Sequence, residues 1–150
     1  MLFYQGIRIT NSTRLPRSTL VHLVTLASNR FPSEERAYLS QCSITFTSSR
    51  RAIVQSGYAR VRSQHALVRL LPGSGYRWAV DSLSTAEHMY RTILHELFHL
   101  VDWTRGTQFQ SHDVEWSQRS QEQRAIEFEN QPLSEEEQDW IVRLALDFET

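Results

Sequence analysis

Residues 84–103, STAEHMYRTILHELFHLVDW, are the stretch of sequence that decides the fold. Apolar residues recur through this stretch at a spacing of three or four, which predicts an α-helix. Ser84 or Thr85 is the expected N-cap of the helix, and Gly106 marks the point before which it should end. Its central segment is apolar on nearly every side, so we expect the helix to be buried.

Within this helix, residues 95–99 read His-Glu-Leu-Phe-His, the HExxH pattern. Side chains four residues apart leave one face of a helix one turn apart, so both imidazoles can reach one ion. Two buried histidines beside a buried glutamate need a partner, and a metal ion provides one. The motif predicts a catalytic Zn²⁺ bound by His95 and His99, with Glu96 as the general base that takes a proton from the zinc-bound water.

The chain before this helix favours β-structure with one helix. Helical spacing after Pro16 predicts a helix over residues 17–30. Alternating or β-branched residues predict five strands, over residues 2–10, 43–49, 58–62, 66–71 and 76–80. The third and fourth of these strands are expected to form a hairpin, because Ser63, Gln64 and His65 can turn the chain.

The chain after the HExxH helix is predicted to be helical. A polar helix is expected over residues 113–130, and a capping box at residues 134–137 predicts the start of a last amphipathic helix. Strands followed by helices indicate the α+β class. We therefore expect one domain over residues 1–150, sheet-rich over 1–80 and zinc-binding and helical over 81–150.

A catalytic zinc has three protein ligands, and the HExxH pattern supplies two of them. Asp102 and Arg105 stand where the metzincin pattern has Gly and His, which excludes that class. Residues 122–128, EQRAIEF, resemble the ExxA-x-x-F glutamate helix of gluzincin-type metallopeptidases. The resemblance implies that Glu122 is the third zinc ligand and that Ala125 allows the two helices to pack closely.

A second resemblance leaves another third ligand open. His112, with Glu115 and Trp116, is similar to the His-x-x-Glu-aromatic segment that follows HExxH in SprT-like proteases. It implies that His112 binds the metal and that the substrates are DNA-associated proteins. The whole pattern, in which HExxH is followed by a short loop and then ExxA within one small domain, looks most like the minimal gluzincins. We therefore prefer Glu122 as the third zinc ligand. The pattern is also similar to the metallopeptidase domains of phage-repressor-cleaving and radiation-response regulators.

The gluzincin resemblance implies a small zincin-like domain with zinc-dependent endopeptidase activity on a peptide or protein substrate. It also implies that the substrate adds to an edge strand, which residues 66–71 or 76–80 would form. A latent or non-catalytic zinc-binding regulatory module is the alternative. The candidate hydrogen-bond donors to the oxyanion that forms during peptide hydrolysis are Tyr58, His65, Tyr76 and His112. Asp102, one turn past His99, can hydrogen-bond an imidazole as an outer partner.

The charges of the chain are unevenly distributed. All 16 basic residues are arginines. Residues 1–80 hold 11 arginines and two glutamates, a net charge of +9, whereas residues 81–150 hold five arginines and 15 acids, a net charge of −10. Attraction across the cleft between a basic sheet and acidic helices is our first interpretation. A DNA-binding surface carrying Arg60, Arg62 and Arg69 is the alternative.

The overall composition, 40% hydrophobic and 22% charged, is that of an ordinary soluble domain. The single cysteine, Cys42, excludes an internal disulfide. The first ten residues lack the pattern of a signal peptide, and no run approaches the ~18 apolar residues of a membrane span. We therefore expect a cytoplasmic protein without membrane contact, whose oligomeric state the sequence leaves open.

Overall fold

The structure, a computed structural model, describes residues 6–48, 56–70, 81–111 and 113–149. These ranges contain five α-helices and a four-stranded mixed sheet, which confirms the predicted α+β class. The strands are β1 (Arg8–Asn11), β2 (Ser43–Ser48), β3 (Gly57–Arg60) and β4 (His65–Leu70). The helices are α1 (Arg17–Ser28), α2 (Ser33–Leu39), α3 (Ser82–Thr104), α4 (Ser120–Glu129) and α5 (Glu135–Phe148).

The sheet has the strand order β1-β2-β4-β3, in which only β3 is antiparallel to its neighbour. β3 and β4 form the predicted hairpin, which turns at Gln64 in the left-handed conformation (φ 53°). The prediction that residues 66–71 form an edge strand is wrong, because β4 pairs with β2 on one side and with β3 on the other. β3 is the edge of the described sheet on this side, and residues 76–80 lie outside the described ranges.

The register gives the sheet one apolar face and one polar face. Aligned positions on neighbouring strands share a face, and successive positions along a strand alternate between faces. The inner face carries two apolar rows. The first consists of the buried Ile9, Ile44 and Ala66 and the half-buried Ala59; the second consists of the buried Phe46 and Val68 and the half-buried Gly57. The positions between them belong to the opposite face, which we call the outer sheet face.

α3 is the helix around which the core is built. It packs against β3 and β4 on one side and against α4 and α5 on the other, and every residue from Thr92 to Asp102 is buried. The N-cap is Asp81 rather than the expected Ser84 or Thr85, because the Asp81 carboxylate accepts a hydrogen bond from the Ser84 N–H at 2.7 Å. The helix ends before Gly106 (φ 71°), as expected.

The largest differences from the predicted elements concern two helices, while β1 and β3 are shorter than the strands predicted over residues 2–10 and 58–62. α2 has no predicted counterpart, because a seven-residue helix is too short to show a clear period. The helix expected over residues 113–130 begins only at Ser120, and residues 116–118 form a single 3₁₀ turn. The capping box is confirmed, since the Glu137 N–H donates to Ser134 Oγ (3.1 Å) and the Ser134 N–H donates to Glu137 Oε1 (2.8 Å).

One hydrophobic core includes residues from both parts of the chain. Ile44 and Phe46 of the sheet join it together with Leu94 of α3 and Leu144 of α5, all fully buried. Among the described residues, none of the helices combines the length and the apolar character needed to cross a membrane.

Candidate metal centre

His95 and His99 lie one turn apart on the buried side of α3 that meets α4. Their Nε2 atoms are 3.1 Å apart. Oε1 of Glu122, in the first turn of α4, lies 2.9 Å from Nε2 of His95 and 3.0 Å from Nε2 of His99. Ala125, one turn further along α4, is fully buried. Three potential ligand atoms from two helices therefore converge on one point.

This triangle of atoms suits a metal ion better than a set of hydrogen bonds. An imidazole Nε2 has either one proton or one lone pair, and hence one directed interaction, whereas each Nε2 here contacts two atoms. Ligand atoms at 2.0–2.1 Å from a tetrahedral zinc lie about 3.3 Å apart, close to the separations in the triangle. Two imidazole nitrogens and one carboxylate oxygen are also the donor set of a catalytic zinc with an open position. The centre could therefore hold a metal ion.

Glu96 is buried beside this triangle. Ligand atoms of Glu96, His95 and His99 all lie within 4.8 Å of one another. β3 approaches Glu96 closely at Gly57, where an added Cβ would lie 3.0 Å from Glu96 Oε2 and 2.7 Å from the carbonyl oxygen of Leu67. Burial raises the pKa of Glu96 to about 8 in the metal-free protein. The glycine lets the edge strand reach the carboxylate that the motif assigns as base.

Glu129 is a residue of this centre that the sequence analysis missed. Its Oε1 lies 2.7 Å from Nδ1 of His95, so the ring of His95 contacts one carboxylate at each nitrogen. An Nδ1–H donated to Glu129 leaves Nε2 unprotonated and free to bind a metal. Glu129 follows Glu122 by seven residues, two helical turns, and this spacing is the signal that could have identified it.

The carboxylates around His95 give the metal-free centre a strong affinity for positive charge. Burial lowers the pKa of His95, but hydrogen bonds with Glu122 and Glu129 outweigh burial and raise that pKa to about 10. Burial raises the pKa of Glu122, while hydrogen bonds from His95 and His99 outweigh it and lower that pKa to about 2. A metal cation that takes the place of this proton will release it on binding.

A cavity of about 480 Å³ lies over the centre. Residues 56–59 of the β3 edge line one wall, and Trp116 and Arg119, before α4, line the other. The Trp116 ring lies nearly parallel to the His95 ring, with centroids 6.2 Å apart, and it is 45% exposed. Arg119 Nε donates to the Val114 carbonyl oxygen at 2.9 Å. The cavity thus offers the aromatic surface of Trp116 and the positive charge of Arg119 next to the three converging ligand atoms.

The other predicted site residues are distributed differently. Tyr58 is among the cavity-lining residues, but the register places its side chain on the outer sheet face, where its ring lies beside Arg60 and Arg69. His65 hydrogen-bonds Ser43 Oγ at 2.7 Å and is not among the cavity-lining residues. Tyr76 and His112 lie outside the described residues.

The predicted contact of Asp102 with an imidazole is not formed. Asp102 accepts a hydrogen bond from Thr107 Oγ1 at 2.8 Å and pairs with Arg124 Nη2 at 2.7 Å. Nδ1 of His99 has no hydrogen-bond partner within the described ranges. Asp102 therefore connects α3 to α4 and to the following loop, because the guanidinium of α4 and the loop hydroxyl satisfy its buried charge.

Comparisons of this chain with protein-family models, with curated proteins and with solved structures found no match. The distances, burial and donor types of the centre are therefore the observations on which a function can be based.

Proposed function

We propose that this chain is a small zinc-dependent endopeptidase of the gluzincin type, with His95, His99 and Glu122 as zinc ligands and Glu96 as general base. The observation that supports the proposal most strongly is the convergence of three donor atoms, none more than 3.1 Å from another, at a cavity. The buried Glu96 beside them supplies the acid–base group that peptide hydrolysis requires.

His95, His99 and Glu122 would hold the zinc ion, which would supply a Lewis acid that lowers the pKa of a water molecule to about 7. Glu96 accepts the proton of the attacking water and later donates it to the leaving amine. Glu129 fixes the orientation and tautomer of the His95 ring through Nδ1. Arg119, which lines the cavity beside Trp116, is the described side chain that could donate to the oxyanion.

The proposed substrate is an extended peptide that lies along β3. Within the described sheet, β3 pairs with β4 on one side only, so its other edge can pair with an added strand. The small residues Gly57 and Ala59 leave space at this wall, and the exposed Trp116 on the opposite wall offers a surface for an apolar side chain.

The test is Glu96→Gln, with Glu127→Gln as the matched control on an exposed position of α4. Zinc content and cleavage of casein and of a fluorogenic peptide library are measured for wild type and both variants. We expect Glu96→Gln to retain zinc and to lose at least about 10²-fold in kcat/KM, because the general base is lost while the ligands remain. Glu127→Gln should match wild type.

Two outcomes contradict the proposal. A Glu96→Gln variant that cleaves as fast as wild type excludes Glu96 as the base. A wild-type protein that binds zinc tightly but cleaves none of these substrates contradicts peptidase activity and favours the non-catalytic zinc-binding module.

A further inference from the structure

The outer sheet face is basic and contains no acidic residue among the described strands. One row of aligned positions crosses all four strands, from Arg8 through Ser43 and His65 to Arg60. The hydrogen bond between Ser43 and His65 confirms that their side chains share this face. Arg69 of β4 lies on the same face. The sequence explains the uniform sign, since residues 36–80 include seven arginines and neither aspartate nor glutamate.

Two arginines of this face, Arg8 and Arg60, are not paired with an acid among the described residues. Within the described ranges, Arg8 and Arg60 are both exposed, and no carboxylate lies within 4.0 Å of either guanidinium. Arg30 and Glu137, in α1 and α5, form an ion pair between the two parts of the chain, away from this face. Direct pairing across the cleft, our first interpretation of the charge asymmetry, is therefore not formed by Arg8 or Arg60 within the described ranges.

Tyr58 lies between two of the arginines. The guanidinium carbons of Arg60 and Arg69 are 5.2 and 5.5 Å from the centroid of its ring. At about 3.3 Å per residue, the backbones of these two arginines are about 13 Å apart along the hairpin. Both guanidinium groups therefore lie within cation–π distance of one ring, which places two cations on one surface.

We propose that the outer sheet face binds nucleic acid through its phosphate backbone. Charge complementarity supports this ligand, because guanidinium groups bind phosphate oxygens through paired donors and because the face has no acid to repel them. The arginine-bearing row spans three strand spacings, about 14 Å, enough to contact several phosphates. Single-stranded nucleic acid is favoured, since a broad strand surface is the common platform for it.

An anionic membrane is the weaker match for this surface. Membrane-surface binding needs large apolar side chains beside the cations. The large hydrophobic residues that are exposed in the described ranges all lie outside the sheet, in α3, in α5 and at the 3₁₀ turn before α4; they are Leu83, Trp103, Trp116, Val142 and Leu146. The outer sheet face therefore offers charge without an apolar anchor.

The test compares wild type with Arg8→Gln/Arg60→Gln and with a control, Arg36→Gln/Arg143→Gln, which removes two exposed arginines from α2 and α5. Binding of a labelled oligothymidylate of about 20 nucleotides is measured by fluorescence anisotropy across a salt series. We expect at least about tenfold weaker binding for the Arg8/Arg60 variant and a slope of log K against log salt that is smaller by about 1.4, because two phosphate contacts are lost. The control should retain the wild-type slope.

The proposal is overturned if wild type does not bind the oligonucleotide, or if the two variants bind equally well. Binding to phosphatidylserine vesicles in the absence of oligonucleotide binding also overturns it. If the double variant does not fold, two other measurements test the proposal. The single variant Arg60→Gln should bind the oligonucleotide more weakly than wild type. Photo-cross-linking of wild type to a bromouracil oligonucleotide should attach it within residues 56–70. The proposal is independent of peptidase activity, because each readout is binding.

Discussion

Two buried polar clusters that both include residues of α3 differ in how their charges are balanced. In the first cluster, Glu137 of α5 accepts hydrogen bonds from Arg30 Nε and Nη2, both at 2.8 Å, and from the Tyr90 hydroxyl. Burial raises the pKa of Tyr90 above its usual range, so its hydroxyl stays protonated and donates. One carboxylate there faces one guanidinium, and the cluster is electrically complete.

The charges of the second cluster, at the candidate metal centre, are not balanced by an arginine within the described ranges. Three carboxylates, those of Glu96, Glu122 and Glu129, surround two imidazoles. No arginine pairs with any of the three within the described ranges. In the metal-free protein, a proton on His95 offsets part of this negative charge, and buried charge that is not balanced is costly. The first cluster is thus balanced by the chain's own residues, whereas the second could hold a cation from outside the chain.

The largest expected effect is that of Glu122→Gln. Loss of the anionic donor should weaken zinc binding by more than the roughly 10- to 100-fold that loss of an outer partner costs. Competition with a chromophoric chelator measures the affinity, with His112→Ala as the comparison. Weaker binding in His112→Ala together with wild-type affinity in Glu122→Gln would identify His112 as the third ligand instead.

Glu137→Gln should act on stability and leave the metal centre intact. Removing the carboxylate leaves Arg30, whose side chain is only 14% exposed, without its counter-charge. We expect the free energy of unfolding to fall by about 3 kcal/mol, measured by urea denaturation. Zinc affinity should stay at the wild-type value, and a parallel loss of zinc affinity in the folded variant would contradict the separation of the two clusters.

Glu129→Gln should have an intermediate effect on the metal centre. The amide keeps an acceptor for His95 Nδ1 but loses the charge that makes the ring a stronger donor to metal. Zinc affinity is expected to fall by about 10-fold, and isothermal titration calorimetry can detect the change. Glu127→Gln is the control on the same helix, and equal affinities for both variants would exclude the proposed role of Glu129.

The smallest expected effect is the pH dependence that Glu137 contributes. Hydrogen bonds from Arg30 and from the Ser134 N–H outweigh burial and lower the pKa of Glu137 below its ordinary value of 4.5. Its stabilisation is therefore complete above about pH 4.5 and is lost as the pH falls through the lower, folded-state pKa. The difference in unfolding free energy between wild type and Glu137→Gln should shrink below pH 4.5, by no more than about 1.4 kcal/mol per pH unit. A constant difference between pH 3 and 6 would contradict this assignment.

The parts of the fold that depend on the spacing of apolar residues or on neighbouring residues in the chain could be predicted from sequence. α3 and the common face of His95 and His99 follow directly from helical spacing. The β3–β4 hairpin and the capping box at Ser134 likewise depend on neighbouring residues alone. α2 and the late start of α4 could not be predicted, because packing decides such short or polar segments.

The parts of the site that depend on how helices meet were harder to predict. Glu129 reaches His95 only because α4 packs along α3, and no pattern in α3 indicates this contact. Asp102 was assigned to an imidazole from its spacing, but Arg124 on α4 holds its carboxylate. Glu122 came from a resemblance, and its role as a ligand stays a prediction although its Oε1 lies within 3.0 Å of both imidazoles.

The zinc content of the purified chain tests the central claim most directly. Protein incubated with zinc and then dialysed is analysed by inductively coupled plasma mass spectrometry, alongside His95→Ala/His99→Ala. We predict one zinc per wild-type chain and none in the double variant, because that variant loses two of the three converging donors. A wild-type chain without zinc, or equal zinc in both proteins, would contradict a metal centre at His95, His99 and Glu122.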